Sequence, residues 1–272
     1  MKKRILSVLL ATTFLVGSVA LTGCGSKDKA SAPEEKKKIV VGATPEPHAQ
    51  ILEKVKPILE KEGYTLEIKI FNDYVIPNTA VEDGELDANF FQHVPYLEQF
   101  NKEKGTHLAY TAKVHLEPMG VYSKKIKDLK DLKTGATVAV PNDPTNEARA
   151  LRLLEKQGVL KFKEGQLITK LDITENPKNI KIQELEAAQL PRTLEDVDAA
   201  VINTNYALPA GLNPLKDALA IEDKDSPYSN VLVVKEGNQD KAYIKALTKA
   251  ITSPEIKKFI EEQYKGAIIP SF

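Results

Sequence analysis

The sequence contains no tryptophan, only two methionines and a single cysteine, Cys24. One cysteine cannot form an intramolecular disulfide, and it excludes a zinc or redox site of the CxxC type. Stability must therefore come from a packed hydrophobic core. Net charge is also absent, because 38 basic residues balance 38 acidic ones. This balance argues against nucleic acid as a partner.

The short motifs of common active sites are missing as well. The sequence has no GxSxG, HExxH, P-loop or GxGxxG pattern. No two of its four histidines stand four residues apart, the spacing that often starts a zinc site on a helix. We expect no cofactor and no metal. An active site assembled from distant segments stays open, so the alternative function is a surface-anchored hydrolase that uses His93 or His115 with nearby carboxylates.

The N-terminus has the layout of an export signal. Three basic residues at positions 2–4 precede a mostly apolar run over 5–21, and Leu21-Thr22-Gly23-Cys24 resembles the bacterial lipobox. A permanent transmembrane helix is the weaker alternative, since Ser, Thr and Gly interrupt the run and a polar segment follows it. We expect residues 1–23 to be removed as a signal peptide. Cys24 would then carry the lipid, with palmitate among its acyl chains, and anchor the protein on the extracytoplasmic face of the membrane.

A polar segment without large apolar residues follows, and we interpret residues 24–38 as a flexible tether. Subtracting the three basic residues of the leader leaves 35 basic against 38 acidic residues, so the mature chain stays nearly neutral. About 250 residues remain, enough for two lobes of ~100 to 150 residues each.

Apolar runs and helical periodicities alternate along the folded part. Ile39–Gly42 and Tyr64–Phe71 have the composition of strands, and apolar residues between Ile51 and Leu59 recur at helical spacing. Further strands are predicted near Leu86–Phe90 and helices near Thr79–Asp83 and Pro95–Lys104. Such alternation is typical of a parallel-rich sheet covered by helices.

A second α/β unit is predicted in the middle of the chain. It begins with a strand at Thr137–Val140 and a helix starting near Glu147, and it includes the apolar strand Ala199–Ile202. Val231–Val234 is predicted as a strand and Ala242–Tyr264 as helical. We therefore expect an α/β fold with two lobes, one formed by 39–119 plus 226–272 and the other by 120–225. A cleft between such lobes can close around a small molecule.

Three segments have the character of ligand-contacting loops. The first, Asn89–Tyr96, crowds aromatic, amide and imidazole groups at the exit of a strand, where α/β sheets usually bind ligands. Tyr74 lies in an earlier loop and is a candidate for the same aromatic wall. The alternative is that Phe90, Phe91 and Tyr96 pack in the core while His93 only caps a helix.

The second segment is Pro141–Arg149, whose polar residues provide a helix start with free N–H groups that favour an anion. Arg149, expected in the first turn or so, would bind a carboxylate bidentately. The alternative is a surface arginine paired with Glu147 or Glu155. The third segment is Asn203–Tyr206, whose amides suit a zwitterion, unless Asn203 merely caps the next helix.

These segments carry a resemblance to a known family. The sequence is similar to the methionine-binding lipoproteins of the NlpA (MetQ-type) family, receptors of an ABC importer, over nearly all of the chain after the tether. The matching motifs are Val41–Pro45 with Pro47-His48, Gly84–Asn89, Phe90–His93, Val140–Asp143 with Asn146–Arg149, Ile202–Thr204 with Tyr206-Ala207, and Glu222–Lys224 with Ser226–Tyr228.

The resemblance implies a type II, periplasmic-binding-protein-like fold and a monomer that captures methionine. L-methionine, D-methionine and a methionyl dipeptide all stay open as ligands. Arg149 matches the partner of the ligand carboxylate, and Asn203 matches the amide at the amino-acid head group. The other implied ligand-binding residues are Tyr74, Phe91, His93, Tyr96 and Asn146. Asn205 is a further candidate from the third segment and not from the resemblance. A polarizable thioether gains from contact with aromatic rings, which gives the aromatic wall a physical purpose.

Overall fold

A computed structural model describes residues 36–272. The signal peptide, Cys24 and nearly all of the expected tether lie outside these residues. No helix within 36–272 is long and apolar enough to cross a membrane.

A six-stranded mixed sheet forms one half of the described fold. Its strand order is β13-β4-β12-β3-β1-β2. The pairs β1–β2 and β1–β3 are parallel, whereas β12 runs antiparallel to both β3 and β4. The strands are β1 Lys38–Ala43, β2 Thr65–Ile70, β3 Ala88–His93, β4 Leu108–Leu116, β12 Ser229–Lys235 and β13 Ile269–Pro270.

A five-stranded sheet forms the other half, with the order β11-β5-β10-β6-β9. Here β6 is parallel to both β9 and β10, and β5 is antiparallel to β10. The strands are β5 Gly120–Tyr122, β6 Thr137–Pro141, β9 Lys181–Leu185, β10 Ala199–Ile202 and β11 Ala220–Ile221, while β7 Lys161–Phe162 and β8 Ile173–Glu175 form a separate ladder.

Seven α-helices of the described part of the chain, residues 36–272, cover the sheets. Residues of α1, α6 and α7 share one hydrophobic core with the six-stranded sheet, and α4 packs on the five-stranded sheet through Leu151 and Leu154. The helices are α1 Gln50–Lys61, α2 Ile76–Glu82, α3 Val94–Lys104, α4 Pro144–Lys156, α5 Thr204–Ala207, α6 Ala242–Ile251 and α7 Pro254–Tyr264. Shorter helical turns are Pro45–Ala49, Leu129–Asp131, Lys170–Asp172, Ala187–Glu195 and Leu208–Ala210.

The chain passes between the two sheets twice. It leaves the six-stranded sheet after Leu116, enters the five-stranded sheet at Gly120, and returns between Ile221 and Ser229. A side chain at Gly120 is excluded sterically, because an added Cβ would lie 2.7 Å from the hydroxyl oxygen of Tyr122.

Several predicted elements differ from the observed ones. The helix expected near Glu147 begins at Pro144, since Asp143 is its N-cap and proline suits the first turn. The C-terminal helical stretch is two helices, because Ser253 caps a new helix ahead of Pro254. The first sheet is mixed rather than parallel-rich, and the long strand β4 was not predicted at all.

Candidate functional site

A small cavity lies where the two halves of the fold face each other. The half with the six-stranded sheet contributes residues on and after β3 and β4 to its lining. The half with the five-stranded sheet contributes residues of α4 and of the start of α5. All eight predicted ligand-binding residues line it. The lining residues are Tyr74, Phe91, Gln92, His93, Tyr96, Glu117, Asn146, Arg149, Asn203, Thr204, Asn205 and Asn230.

Arg149 is buried rather than on the surface, and its partner is neither Glu147 nor Glu155. Its Nε and Nη2 donate to the two carboxylate oxygens of Glu222 at 3.0 and 2.5 Å. Nη2 also donates to the Glu117 carbonyl at 2.8 Å, and the guanidinium carbon lies 4.3 Å from the Tyr228 ring centroid. Glu222 therefore already occupies the edge of the Arg149 guanidinium that could bind a carboxylate bidentately. Among residues 36–272, Nη1 is the guanidinium nitrogen without a hydrogen-bond partner.

Burial acts to lower the pKa of Arg149, but Glu222 raises it and the net shift is upward. The side chain therefore keeps its positive charge inside the protein. Since α4 begins at Pro144, Arg149 stands in the second turn, and the Asp143 carboxylate already accepts the Asn146 N–H. The expectation of free N–H groups for a bound anion at this helix start is wrong for that reason.

The amides after β10 are only partly satisfied. Asn203 holds the N-cap position of α5 but makes no cap hydrogen bond; instead its Nδ2 donates to Asn146 Oδ1 at 2.8 Å. Asn205 Oδ1 accepts from the Tyr74 hydroxyl at 2.6 Å. Within residues 36–272, Asn203 Oδ1 and Asn205 Nδ2 are buried without a partner. Buried polar groups are nearly always paired, so the cavity presents one unused acceptor and one unused donor.

His93 both caps α3 and faces the cavity. Its Nδ1 accepts the Tyr96 backbone N–H at 3.1 Å, and its Nε2 lies 3.1 Å from Asn146 Oδ1. Burial, and then the charge of Arg149, lower the pKa of His93 to about 3. A neutral imidazole with both nitrogens engaged is poorly placed to act as the base of a hydrolase.

Aromatic rings form the opposite end of the cavity. The Tyr74 ring stacks on Phe91 with centroids 5.7 Å apart, and it meets Tyr96 edge-on at 5.8 Å. The Tyr96 hydroxyl donates to the Tyr74 carbonyl at 2.8 Å, which satisfies it internally. Phe100 packs behind Tyr96 at 6.1 Å. Phe90, by contrast, lies in the main core, as the alternative expectation had it.

Glu117 is the main cavity residue that sequence reasoning missed. Its Oε1 lies 2.7 Å from His115 Nε2 and 3.2 Å from His48 Nε2. Burial raises the pKa of Glu117, while His48 and Arg149 act in the opposite direction. The signal for this residue was the spacing of His115 and Glu117, since residues two apart point to the same face of a strand.

These three side chains are also the group of possible metal ligands found among residues 36–272. Their ligand atoms lie within 4.8 Å of one another although the residues come from distant segments. The histidine spacing along the sequence could not reveal such a group.

Comparison with known proteins identifies the family. Residues 39–272 match the family model described as NlpA lipoprotein. A Salmonella typhi protein named D-methionine-binding lipoprotein MetQ is 48% identical over 259 residues, covering 94% of each chain. The Bacillus subtilis methionine-binding lipoprotein MetQ is 43% identical over 277 residues, covering 99% of each.

Solved structures agree with these relatives. A nutrient binding protein from Burkholderia cenocepacia bound to methionine is 52% identical and superimposes with a TM-score of 0.84, covering 86% of this chain and all of that one. The α/β substrate-binding fold expected from the sequence is therefore confirmed. With a family match over nearly the whole described chain, the protein belongs to the NlpA lipoprotein family.

Proposed function

We propose that this chain is a lipid-anchored receptor that captures methionine in the cavity and delivers it to an ABC importer. The observation that carries the proposal is the pair of unused polar atoms, Asn203 Oδ1 and Asn205 Nδ2, beside two buried opposite charges. An acceptor and a donor next to Glu117 and Arg149 complement the two charges of an amino-acid zwitterion.

The ligand head group would be divided between the two charges. Its ammonium would donate to the Glu117 carboxylate and to Asn203 Oδ1. Its carboxylate would accept from Asn205 Nδ2 and from Nη1 of Arg149, a single hydrogen bond rather than the bidentate pair expected from the sequence, because Glu222 occupies the other edge. His93 and Asn146, joined at 3.1 Å, would hold the two halves of the site in register.

The ligand side chain would lie against Tyr74, Phe91 and Tyr96. Sulfur near an aromatic ring contributes ~0.3 to 1.5 kcal/mol, and the flexible thioether adapts to the wall. L-methionine, D-methionine and a methionyl dipeptide all stay candidates for the ligand.

Delivery would depend on opening and closing of two lobes, 39–119 with 226–272 and 120–225, about the connections near Met119 and Asp225. A ligand that contacts both lobes shifts the population toward the closed form, which the membrane subunits of the importer would recognise. The neutral mature chain would act as a monomer, without a cofactor and without catalysing a reaction. The names of its relatives describe binding proteins and no enzymes, which supports this part of the proposal.

Thermal unfolding with a panel of amino acids tests the receptor function. A ligand present at ~100 times its Kd adds ~2.7 kcal/mol, which corresponds to a rise in Tm of ~5 to 10 °C for a chain of this size. We expect a rise with L- or D-methionine and none with glutamate or lysine, whose charged ends would contact the aromatic wall. If no methionine compound raises the Tm, the proposal fails and the hydrolase alternative regains priority.

Cys24 would be the attachment site of the anchor. Two or three acyl chains hold a protein on a membrane durably, whereas one is marginal. We expect Cys24→Ser to release the protein into the soluble fraction of cells while the Kd for methionine stays unchanged. Membrane retention of the variant would place the anchor elsewhere, and a changed Kd would contradict the separation of anchor and site.

A further inference from the structure

Two histidines lie directly behind Glu117, on the side away from the cavity. His48 comes from the turn before α1 and His115 from β4, and both side chains are fully buried. Each Nε2 faces the same oxygen, Oε1 of Glu117. Neither histidine belongs to the cavity lining, so neither would touch a ligand there.

The hydrogen-bond partners assign the protons on these rings. The Thr44 hydroxyl lies 2.7 Å from His48 Nδ1 and donates to it, which leaves the ring hydrogen of His48 on Nε2. That N–H faces Glu117 Oε1 and Asn230 Oδ1, both acceptors. His115 donates from Nε2 in the same way, and its Nδ1 has no partner within residues 36–272.

Both rings are neutral at physiological pH. Burial lowers the pKa of His48 to about 4 and that of His115 to about 3. Glu117 Oε1 therefore accepts hydrogen bonds from two uncharged donors, which fix the position of this oxygen.

The second carboxylate near the site has a cationic partner. Glu222 lies against Arg149 in a bidentate ion pair, so its charge is neutralised within the protein. Within residues 36–272, Glu117 forms ion-pair contacts with the two histidines and with no lysine or arginine, so its carboxyl group is available to an ammonium.

We propose that His48 and His115 are positioning residues that hold Oε1 of Glu117 and aim its carboxyl group at the cavity, so that the site selects ligands bearing an ammonium group. The proposal rests on the function proposed above and assigns its amine selectivity to two residues outside the cavity. A divalent cation bound by the same three side chains is the competing explanation of the cluster.

The test compares two ligands that differ only in the ammonium group, L-methionine and 4-(methylthio)butanoate, by calorimetry at a pH of about 7.5. His115→Leu removes the donor, and His115→Gln places an amide N–H near the position of the ring Nε2. We expect the preference of the wild-type protein for methionine to fall at least ~10-fold in the leucine variant and to recover in the glutamine variant. Affinity for 4-(methylthio)butanoate should stay within about twofold in all three, which also shows that the variants are folded.

The matching pair His48→Leu and His48→Gln should give the same pattern. Equal losses for both ligands would mean a merely structural role and would overturn the proposal. A preference that disappears on treatment of the wild-type protein with EDTA would overturn it in favour of a metal site. Failure of the wild-type protein to bind methionine at all would instead refute the proposed function.

Discussion

The two ends of the cavity are built on different principles. The polar end joins Arg149 on α4, Glu117 after β4 and Asn203 after β10, so it draws on both sheets. The aromatic end is local, because Phe91 and Tyr96 lie on consecutive elements and Tyr74 stacks on them from a nearby loop. Asn203 Oδ1 and Asn205 Nδ2 at the first end are buried without a partner within residues 36–272, whereas the tyrosine hydroxyls at the second end already donate within the protein, which leaves ring faces and edges for a ligand.

This difference predicts different roles in recognition. A site whose buried polar groups need a ligand rejects a compound that leaves them unpaired, often by four or more orders of magnitude. An apolar pocket discriminates weakly, at ~1 to 3 kcal/mol for each methylene. The polar end should therefore decide whether an amino acid binds, and the aromatic end should set how tightly each side chain is held.

Arg149→Ala should give the largest loss. Removing one partner of a buried ion pair costs ~3 to 5 kcal/mol, and here the change also removes the group that would face the ligand carboxylate. We expect methionine affinity to fall at least ~1,000-fold by calorimetry, together with a lower Tm, because the partly buried carboxylate of Glu222 would lose both hydrogen bonds from the guanidinium. Arg152→Ala is the matched control, since Arg152 stands on the same helix with a partly exposed partner, Glu155. It should leave Kd unchanged.

A double variant separates stability from binding at this position. Arg149→Met combined with Glu222→Gln removes both charges and should restore most of the lost stability. Methionine binding should stay lost. If the double variant binds methionine normally, Arg149 serves the fold alone and the polar end does not depend on it.

Phe91→Ala should have a smaller and graded effect. The loss of one ring face removes apolar contact of the order of 2 kcal/mol, so Kd for methionine should rise ~30-fold. Affinity for L-alanine, whose side chain is too short to reach the ring, should change little. Tyr110→Ala on the exposed side of β4 is the control. An equal loss for alanine and methionine would show that Phe91 supports the polar end instead.

The aromatic end was largely predictable from sequence, whereas the polar end was predictable in part, because Arg149 and Asn203 were expected there and Glu117 was not. Strand β3 carries Phe91 and His93, and Tyr96 lies on the helix that follows it, so a local pattern indicates their position. Glu117 depends on β4, whose stability comes from pairing with β12 more than a hundred residues later. Such pairing leaves little trace in a local window. Arg149 was predicted as a site residue, but its partner Glu222 stands 73 positions away.

The same contrast applies to the fold. Apolar strands such as β10 were predicted with correct bounds, because a buried run needs no partner to be recognised. The break between α6 and α7 was missed although Ser253-Pro254 is a local start signal, since the apolar periodicity continues across it. Element type is thus encoded locally, while sheet order and direction depend on distant pairing.

Tyr206→Phe tests a contact between the two halves that does not involve the cavity lining. The Tyr206 hydroxyl donates to the Asn72 carbonyl at 3.1 Å. Such a hydrogen bond contributes ~0.5 to 1.5 kcal/mol net. Because it would form only in the closed form, its loss should raise Kd about fivefold. The change should lie in the dissociation rate, which stopped flow measures. Tyr122→Phe is the control, because the buried Tyr122 hydroxyl has no partner within residues 36–272. An unchanged dissociation rate in Tyr206→Phe would exclude this contact from closure.

The smallest expected effect isolates the sulfur atom. Norleucine replaces the thioether sulfur of methionine by a methylene and keeps the same head group, so the polar end treats the two ligands alike. A sulfur–aromatic contact of ~0.3 to 1.5 kcal/mol predicts a preference for methionine of only about threefold in the wild-type protein. Phe91→Leu keeps an apolar wall without the ring and should abolish that preference while both ligands still bind. A preference that persists in Phe91→Leu would assign the recognition of sulfur to Tyr74 or Tyr96, and one far above tenfold would mean that the aromatic end discriminates as strictly as the polar end.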